Sequence, residues 1–345
     1  MARRPFSFGG EEVPAGGRRL VSLPMSVLSN RTPMALPVSV IHGRREGPTL
    51  FVSAALHGDE VNGVEICRRL LASKALAVAR GTLLVVPIVN NFGFISHSRY
   101  LPDRRDLNRS FPGSARGSLA AQLAYALMTE VVARSQFGID LHSATIHRSN
   151  LPQIRVDSGY PAGLELARAF GAPIIVHSPT RDGSLRKTAQ ERGVPVIVYE
   201  GGEGLRADEF SVSVGMRGVL RVLDHLGMVR KRTAGRLRPP ALAMSSRWVR
   251  AEESGLFRPL KEIGDRVAAG ERIGIVADPY GEMEAEVTAG SAGIVIGRAN
   301  NPAVNQGDAL FHVAEVEDPT RLEQHYGTLS RELQSERVLD EDEIL

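Results

Sequence analysis

His57-Gly58-Asp59-Glu60 stands directly after the apolar run Thr49–Leu56, and His142 directly after the run Phe137–Leu141. Two imidazoles and one carboxylate can hold zinc with a coordination position left open. A water at that position can be made into a nucleophile. A histidine and a glutamate at i and i+3 meet on one side of a helix's first turn or of a strand-to-helix corner. Gly58, without a Cβ, lets the chain turn tightly between them. Alone, His-x-x-Glu is also the spacing of an ordinary surface pair; His142 at the end of a distant strand is what singles it out. Asp140 shares a strand face with His142 and suits the hydrogen-bonding partner of a ligating imidazole better than a further ligand. An acid with no metal role is the competing reading.

Hydrolysis also needs a base and groups that hold the substrate. Glu200 closes the run Pro195–Tyr199 and is followed by Gly201 and Gly202, which leave room beside it. It can take a proton from water and pass it to a leaving nitrogen; Glu203, farther into the loop, is the rival. In Asp106-Leu107-Asn108-Arg109-Ser110-Phe111-Pro112-Gly113, Asn108 and Arg109 form a clamp for a carboxylate, the guanidinium as a bidentate fork and the amide as a further donor. Arg99 lies in the same connection and can hold substrate or polarise a scissile carbonyl, unless it is merely solvated. Cys67 is the single cysteine, so it forms no internal disulfide and reads as a buried thiol on a helix face.

The elements that must position these groups alternate apolar runs with helical patterns. Strands are expected at Leu36–Ile41, Thr49–Leu56, Thr82–Val89, Phe137–Leu141, Pro173–His177 and Pro195–Tyr199. Helices are expected at Asn62–Ala75, Ser118–Arg134, Gly163–Phe170, Ser184–Arg192 and Ser213–Leu226. Continuous apolar strands imply a mainly parallel or mixed central sheet flanked by helices, an α/β class. Pro87 predicts that its run is an edge strand or ends early. Ligands gather beyond the carboxyl ends of such strands, where His57, Asn90, His142, His177 and Glu200 all fall. Five segments follow: a Gly-, Pro- and Ser-rich lead-in of irregular chain or short strands (1–34), a catalytic domain (35–229), a basic linker (230–240), an all-β module with glycine-marked turns (241–315), and an acidic tail, helical or frayed (316–345). The module resembles a biotinyl/lipoyl-type hammerhead, but Asp278–Met283, where a carrier's modified lysine would sit, contains none.

Composition narrows the class further. Residues 315–345 carry ten acidic and three basic side chains, a net −7 that leaves +10 on the rest of a chain whose net charge is +3. The arginines are scattered without interleaved aromatics or a reading helix, which disfavours nucleic acid, and an excess of arginine around a site for acidic small molecules explains the charge equally well. The basic first residues lead into no apolar h-region, and no stretch approaches the roughly 18 apolar residues of a membrane span. The expected location is the cytoplasm, with neither membrane nor nucleic acid as a partner.

The ordered set His57–Glu60, Asp106–Gly113, Asp140-Leu141-His142 and Tyr199–Gly202 resembles the succinylglutamate desuccinylase/aspartoacylase family, of the zinc carboxypeptidase-like superfamily, over roughly residues 35–315. The resemblance implies one Zn2+ per chain on His57, Glu60 and His142, and Glu200 as general base and then general acid. It implies Asn108 and Arg109 on the substrate carboxylate and Arg99 as the carbonyl-polarising arginine. Members cleave the amide of a small N-acyl amino acid, among them N-succinylglutamate, N-acetylaspartate and N-acetyl-diaminobutyrate. One of Arg181, Arg186, Lys187 and Arg192 is expected to reach a second substrate carboxylate, with Arg181 taken as the candidate. Ile146–Gln153 is expected to shape the acyl pocket, with His147 as a polar contact, and Tyr280 is the tyrosine that the β module would lend. A homo-oligomer is consistent with the family. Two other readings compete: a metallocarboxypeptidase acting on short peptides, and a non-catalytic metal- or ligand-binding protein.

Overall fold

The computed structural model describes residues 3–27, 31, 33–73, 76–229 and 239–340, the side chains of 332–340 excepted. Near the amino terminus β1 (Phe6–Phe8) and β2 (Glu11–Val13) pair as a hairpin. The next elements are β3 (Arg18–Val27), β4 (Pro33–His42), β5 (Arg45–Ala54), α1 (Asn62–Ala72), β6 (Arg80–Val86), α2 (Asn91–Ile95) and α3 (Leu119–Ala126). They are followed by β7 (Phe137–His142), β8 (Arg148–Val156), α4 (Pro161–Phe170), β9 (Ile174–His177), α5 (Leu185–Glu191), β10 (Val196–Gly202) and α6 (Glu209–His225). The strands form one sheet in the order β3-β4-β6-β5-β7-β10-β8-β9. Parallel pairing joins β6, β5, β7 and β10, while β3, β4 and β8 enter antiparallel, so the sheet is mixed.

The continuous apolar runs have the expected cause: both faces of the central strands are covered. On one face Val52, Ala54, Ile139, Leu141 and Ile197 pack with Ile66 and Leu70 of α1, Leu166 and Phe170 of α4, and Val219 and Leu223 of α6. On the other, Phe51, Leu84, Val86 and Val196 meet Leu123, Leu127 and Met128 of the α3 region and Leu185 and Ala189 of α5. Cys67 is fully buried in the first of these clusters, and burial pushes its thiol well above its ordinary pKa. Three details depart from expectation. The helix expected over Ser118–Arg134 is α-helical only as α3 and continues as a π turn and a 3-10 turn. The lead-in contains β3, a ten-residue strand hydrogen-bonded along β4, whose alternation shows in buried Val21 and Leu23. β8 is a strand in a segment expected only to shape a pocket. β6 stops at Val86, before Pro87, but lies inside the sheet between β5 and β4 rather than at its edge.

The C-terminal region is β-rich: β11 (Ala241–Arg250), β12 (Gly255–Pro259), β13 (Arg266–Val267), β14 (Arg272–Ala277), β15 (Glu284–Thr288), β16 (Gly293–Ala299), β17 (Ala303–Val304) and β18 (Ala309–Val316). β11 pairs parallel with β9, and β18, β16 and β13 carry the central sheet onward. β15, β14, β12 and β17 form a second sheet, and Phe257, Ile273, Val276, Leu310 and Phe311 are among the apolar side chains of this region's own core. β16 also pairs with β8. Hydrogen bonds therefore run from the central sheet into the β-rich region at two places. The expected basic linker lies, for residues 230–238, outside the described residues. Of the acidic tail, α7 (Pro319–Asp340) is held by buried Leu322 and Leu329 and by an edge contact of Tyr326 on Phe210, and residues 341–345 lie outside the described residues. No helix of the described residues is long and apolar enough to cross a membrane.

Candidate active site

The parallel strands deliver the chemistry at their carboxyl ends. Beyond β5 the chain reaches His57; Glu60 precedes α1, and His142 is the last residue of β7. All three are buried, at 3%, 2% and 4% exposure. One donor atom from each lies within 4.8 Å of the others. His57 Nδ1 is 2.7 Å from Glu60 Oε1, and His142 Nδ1 is 2.7 Å from Glu60 Oε2. The outer nitrogens are taken up by carboxylates: His57 Nε2 lies 3.2 Å from Asp106 Oδ1, and His142 Nε2 lies 2.7 Å from Asp140 Oδ2. The Ser53 hydroxyl donates to the other Asp140 oxygen at 2.8 Å. A neutral imidazole that keeps its proton on Nε2, toward the carboxylate, offers its Nδ1 lone pair on the Glu60 side. The donor set therefore suits a metal ion by chemistry and by spacing.

Gly58 serves a different need from the tight turn expected of it. A Cβ there would lie 1.8 Å from the Gly93 carbonyl carbon and 2.2 Å from the Phe94 nitrogen, so the loop rests directly on the α2 backbone.

Within the cluster, the carboxylates and the imidazoles hold one another in their charged forms. Burial alone would raise the Glu60 carboxyl, but His57 and His142 outweigh it and hold it far below the carboxylate range. Burial would depress both imidazoles, yet Glu60 and Asp106 raise His57, while Asp140 and Glu60 raise His142 well above its ordinary value. Asp106 is likewise held low, its burial offset by His57 and Arg99. Arg99 bridges the two carboxylates, 3.3 Å from Glu60 and 3.1 Å from Asp106.

Glu200 sits beside His142 because the parallel register of β10 and β7 pairs those two positions. Its Oε2 accepts from Asn150 Nδ2 at 2.9 Å, and its Oε1 lies 3.4 Å from Arg155 Nε. Both triad imidazoles, Glu60, Glu200, Arg99, Asn108, Arg109 and Arg181 line one cavity of about 220 Å3. Asn108 and Arg109 stand on a 3-10 turn whose N-cap, Asp106, accepts from the Asn108 amide N–H. Asn108 Oδ1 accepts from the Leu185 N–H at the start of α5, which fixes the side chain in the cavity wall. Of the four basic candidates before Glu200, Arg181 and Arg186 reach the cavity. Lys187 is instead paired with Asp182 and Glu191, and Arg192 lines a separate hollow with Tyr160. Arg186 is buried, donates through Nη2 to the Ser178 and Pro179 carbonyls, and leaves Nη1 without a partner. Burial first, and then Arg155, lower its pKa to about 10.

Two expected contacts are not brought to the cavity. The His147 side chain is exposed and outside the lining; its backbone, at φ 65°, turns the N–H onto Glu203 Oε1 at 2.9 Å. Tyr280 is 86% exposed between β14 and β15, also outside the lining. The aromatic that the β-rich region does contribute is Trp248, the single tryptophan of the chain. Its ring stacks on His312 at 4.5 Å, and the Arg148 guanidinium lies 5.6 Å from its centroid. Glu203, the rival base, is occupied by His147, Asn300 and Arg206. Asn90 caps α2, and His177 accepts from Ser158. Sequence reasoning assigned no role to Asp106, Asn150, Arg155 or Trp248. Asp106 stood inside the quoted Asn108-Arg109 motif, and Asn150 inside the segment expected to shape the pocket, but the strand that carries Asn150 and Arg155 was not recognised.

The family model described as the succinylglutamate desuccinylase/aspartoacylase catalytic domain matches residues 46–226. The chain is 31% identical over 299 residues to the N-alpha-acetyl-L-2,4-diaminobutyric acid deacetylase of Halomonas elongata, covering 81% of this chain and 86% of the relative. Among solved structures, a succinylglutamate desuccinylase/aspartoacylase from Rhodobacter sphaeroides superposes with a TM-score of 0.78 at 27% identity, over 87% of this chain and 96% of that one. The product-bound ectoine utilization protein EutE (DoeB) of Ruegeria pomeroyi gives 0.79 at 25% identity, over 88% and 96%.

Proposed function

The chain belongs to the succinylglutamate desuccinylase/aspartoacylase family, and from that premise we propose that it is a zinc-dependent deacylase, cleaving the amide bond of a small N-acyl amino acid. The reading includes a zinc carboxypeptidase-like catalytic fold, a hammerhead-like C-terminal region and a cytoplasmic, possible homo-oligomeric enzyme. The observation that carries it is the register of β10 on β7, which sets the Glu200 carboxylate beside a buried His-Glu-His cluster in one cavity.

His57, Glu60 and His142 would hold the ion, and zinc bound there supplies Lewis acidity toward water and the substrate carbonyl. Asp106 and Asp140 keep the Nε2 protons in place and so turn both Nδ1 atoms inward. Asn108 and Arg109 bind the amino-acid carboxylate, which orients the amide over the cluster. Glu200 takes a proton from the attacking water as its oxygen bonds to the carbonyl carbon. It returns that proton to the nitrogen as the C–N bond breaks, and the second proton of the water passes from the new carboxyl group to the amine, so a carboxylate and an ammonium group leave. Arg99, already between Glu60 and Asp106, presents positive charge where the carbonyl oxygen becomes negative.

The lining also bears on substrate choice. Arg109, Arg148, Arg181 and Arg186 face the cavity beyond the pairs that Arg99 and Arg155 make with carboxylates. Substrates with more than one carboxylate should therefore be preferred over Nα-acetyl-diaminobutyrate, which keeps a free cationic amine. A panel of N-acetyl and N-succinyl amino acids and short peptides, assayed with metal analysis, tests the reading. Turnover of N-acyl amino acids by protein holding one zinc per chain is the expected result. Hydrolysis confined to peptides, or none by metal-loaded protein, would overturn it.

A further inference from the structure

We propose that Asn150, braced from behind by Gly297 of the β-rich region, is a positioning residue that aims the Glu200 carboxylate. The proposal rests on the reading of Glu200 as the proton carrier. Backbone pairing does not aim this side chain by itself. Against β8, Glu200 pairs with Gln153 and Gly202 with Asn150, so two steps along β10 span three along β8, and the ladder is irregular beside the base. Irregularities of this kind redirect side chains. β8 then holds Glu200 by one hydrogen bond, from the Asn150 amide at 2.9 Å, and by an ion pair with Arg155, whose Nε lies 3.4 Å away without a hydrogen bond. Asn150 is 6% exposed, so its donor stays ordered and out of competition with solvent.

The other end of the same amide points at the β-rich region. Gly297 of β16 is the register partner of Asn150. A Cβ at position 297 would lie 2.9 Å from Asn150 Oδ1 and 3.2 Å from His312 Cβ. Gly297 is not among the residues with positive φ, so backbone conformation does not demand a glycine there; the room it leaves is taken first by the asparagine oxygen, ahead of His312 Cβ and the Ser149 carbonyl oxygen at 3.4 Å. With Oδ1 seated on Gly297, Nδ2 faces Glu200. The reversed amide would set an oxygen against a carboxylate and lose the bond. The β-rich region, which also lends Trp248 to the cavity wall, thereby controls the angle of the base.

The test compares Asn150→Ala, Gly297→Ala and the double variant by steady-state kinetics on the best N-acyl amino acid, together with crystal structures of each. Asn150→Ala should lower kcat ~10-fold or more with KM nearly unchanged, the scale of one hydrogen bond to a charged group. Gly297→Ala should lower kcat less, and most of that loss should vanish once Asn150 is already alanine, because the asparagine oxygen is the nearest atom that the added methyl group would meet. In the crystal structure of Asn150→Ala the Glu200 carboxylate should take a new or divided orientation. Unchanged kcat in Asn150→Ala, or a Gly297→Ala loss that persists in full beside Asn150→Ala, overturns the proposal. A Glu200 carboxylate that stays in place in the Asn150→Ala crystal overturns it whatever the activity. Failure of the wild-type protein to hydrolyse any substrate counts against the deacylase reading instead, and the crystallographic arm still decides the positioning claim.

Discussion

Asp106 and Asp140 each take the outer nitrogen of one triad imidazole, and Ser53 steadies Asp140 from the far side. Asp140→Asn keeps the shape and an acceptor but removes the charge that makes His142 a strong donor. Metal affinity measured by chelator competition should fall by ~10- to 100-fold; an unchanged affinity would remove Asp140 from the site. At this scale the sequence was informative where residue type and strand-end position coincided: it set His57, Glu60, His142 and Glu200 at strand ends, and the structure brings them to one cavity. It was silent where the orientation of a turn decides where a side chain lies. His147 and Tyr280 have suitable chemistry, but one turns outward at positive φ and the other projects from a hairpin end into solvent. Neither orientation is written in spacing alone.

At the scale of elements, the site depends on helices that hold the sheet from behind. The Phe170 ring of α4 stacks on Tyr199 of β10 at 5.2 Å, and the Tyr199 hydroxyl donates to the Ser211 carbonyl of α6 at 2.6 Å. This layer supports the strand that carries Glu200. Phe170→Ala should destabilise the protein by about 3–5 kcal/mol in denaturant titration. A loss under about 1 kcal/mol would mean that the layer does not support β10 as described. Gly58→Ala should act locally: a methyl group inside the α2 backbone displaces His57 and weakens metal binding more than it lowers the melting temperature. Equal loss of both, or of neither, would contradict that account. The strands with unbroken apolar runs were legible because they are buried on both faces. β8 was not, since Arg148, Asn150, Gln153 and Arg155 break its run with the polar groups that line or adjoin the cavity.

At the scale of the whole molecule, the β-rich region is hydrogen-bonded to the catalytic sheet through β11 on β9 and β16 on β8. The turn glycines disclosed an all-β segment, but strand pairing between distant parts of a chain leaves no local mark, so this continuity was not anticipated. Trp248 and His312 lie in this region, and His312 carries a pH signature. Burial, and then Arg155, push its pKa down to about 3. Unfolded, it titrates near 6.5, so the unfolded state binds the extra proton first and stability declines as pH falls from 6.5 toward 3. Above 6.5 the group is neutral in both states and contributes no slope. Replacing His312 with Gln should flatten the loss of unfolding free energy between pH 6.5 and 4, a slope of about 1.4 kcal/mol per pH unit for one proton. Parallel pH profiles for the two proteins would contradict the assignment.

The central claim is that the His57-Glu60-His142 cluster and Glu200 work together on one amide. Its most direct test is the turnover of Glu200→Gln with zinc content measured on the same sample. The account predicts one zinc per chain retained and kcat reduced at least ~100-fold, because glutamine keeps the shape of the side chain but cannot carry the proton. Full activity in that variant would contradict it.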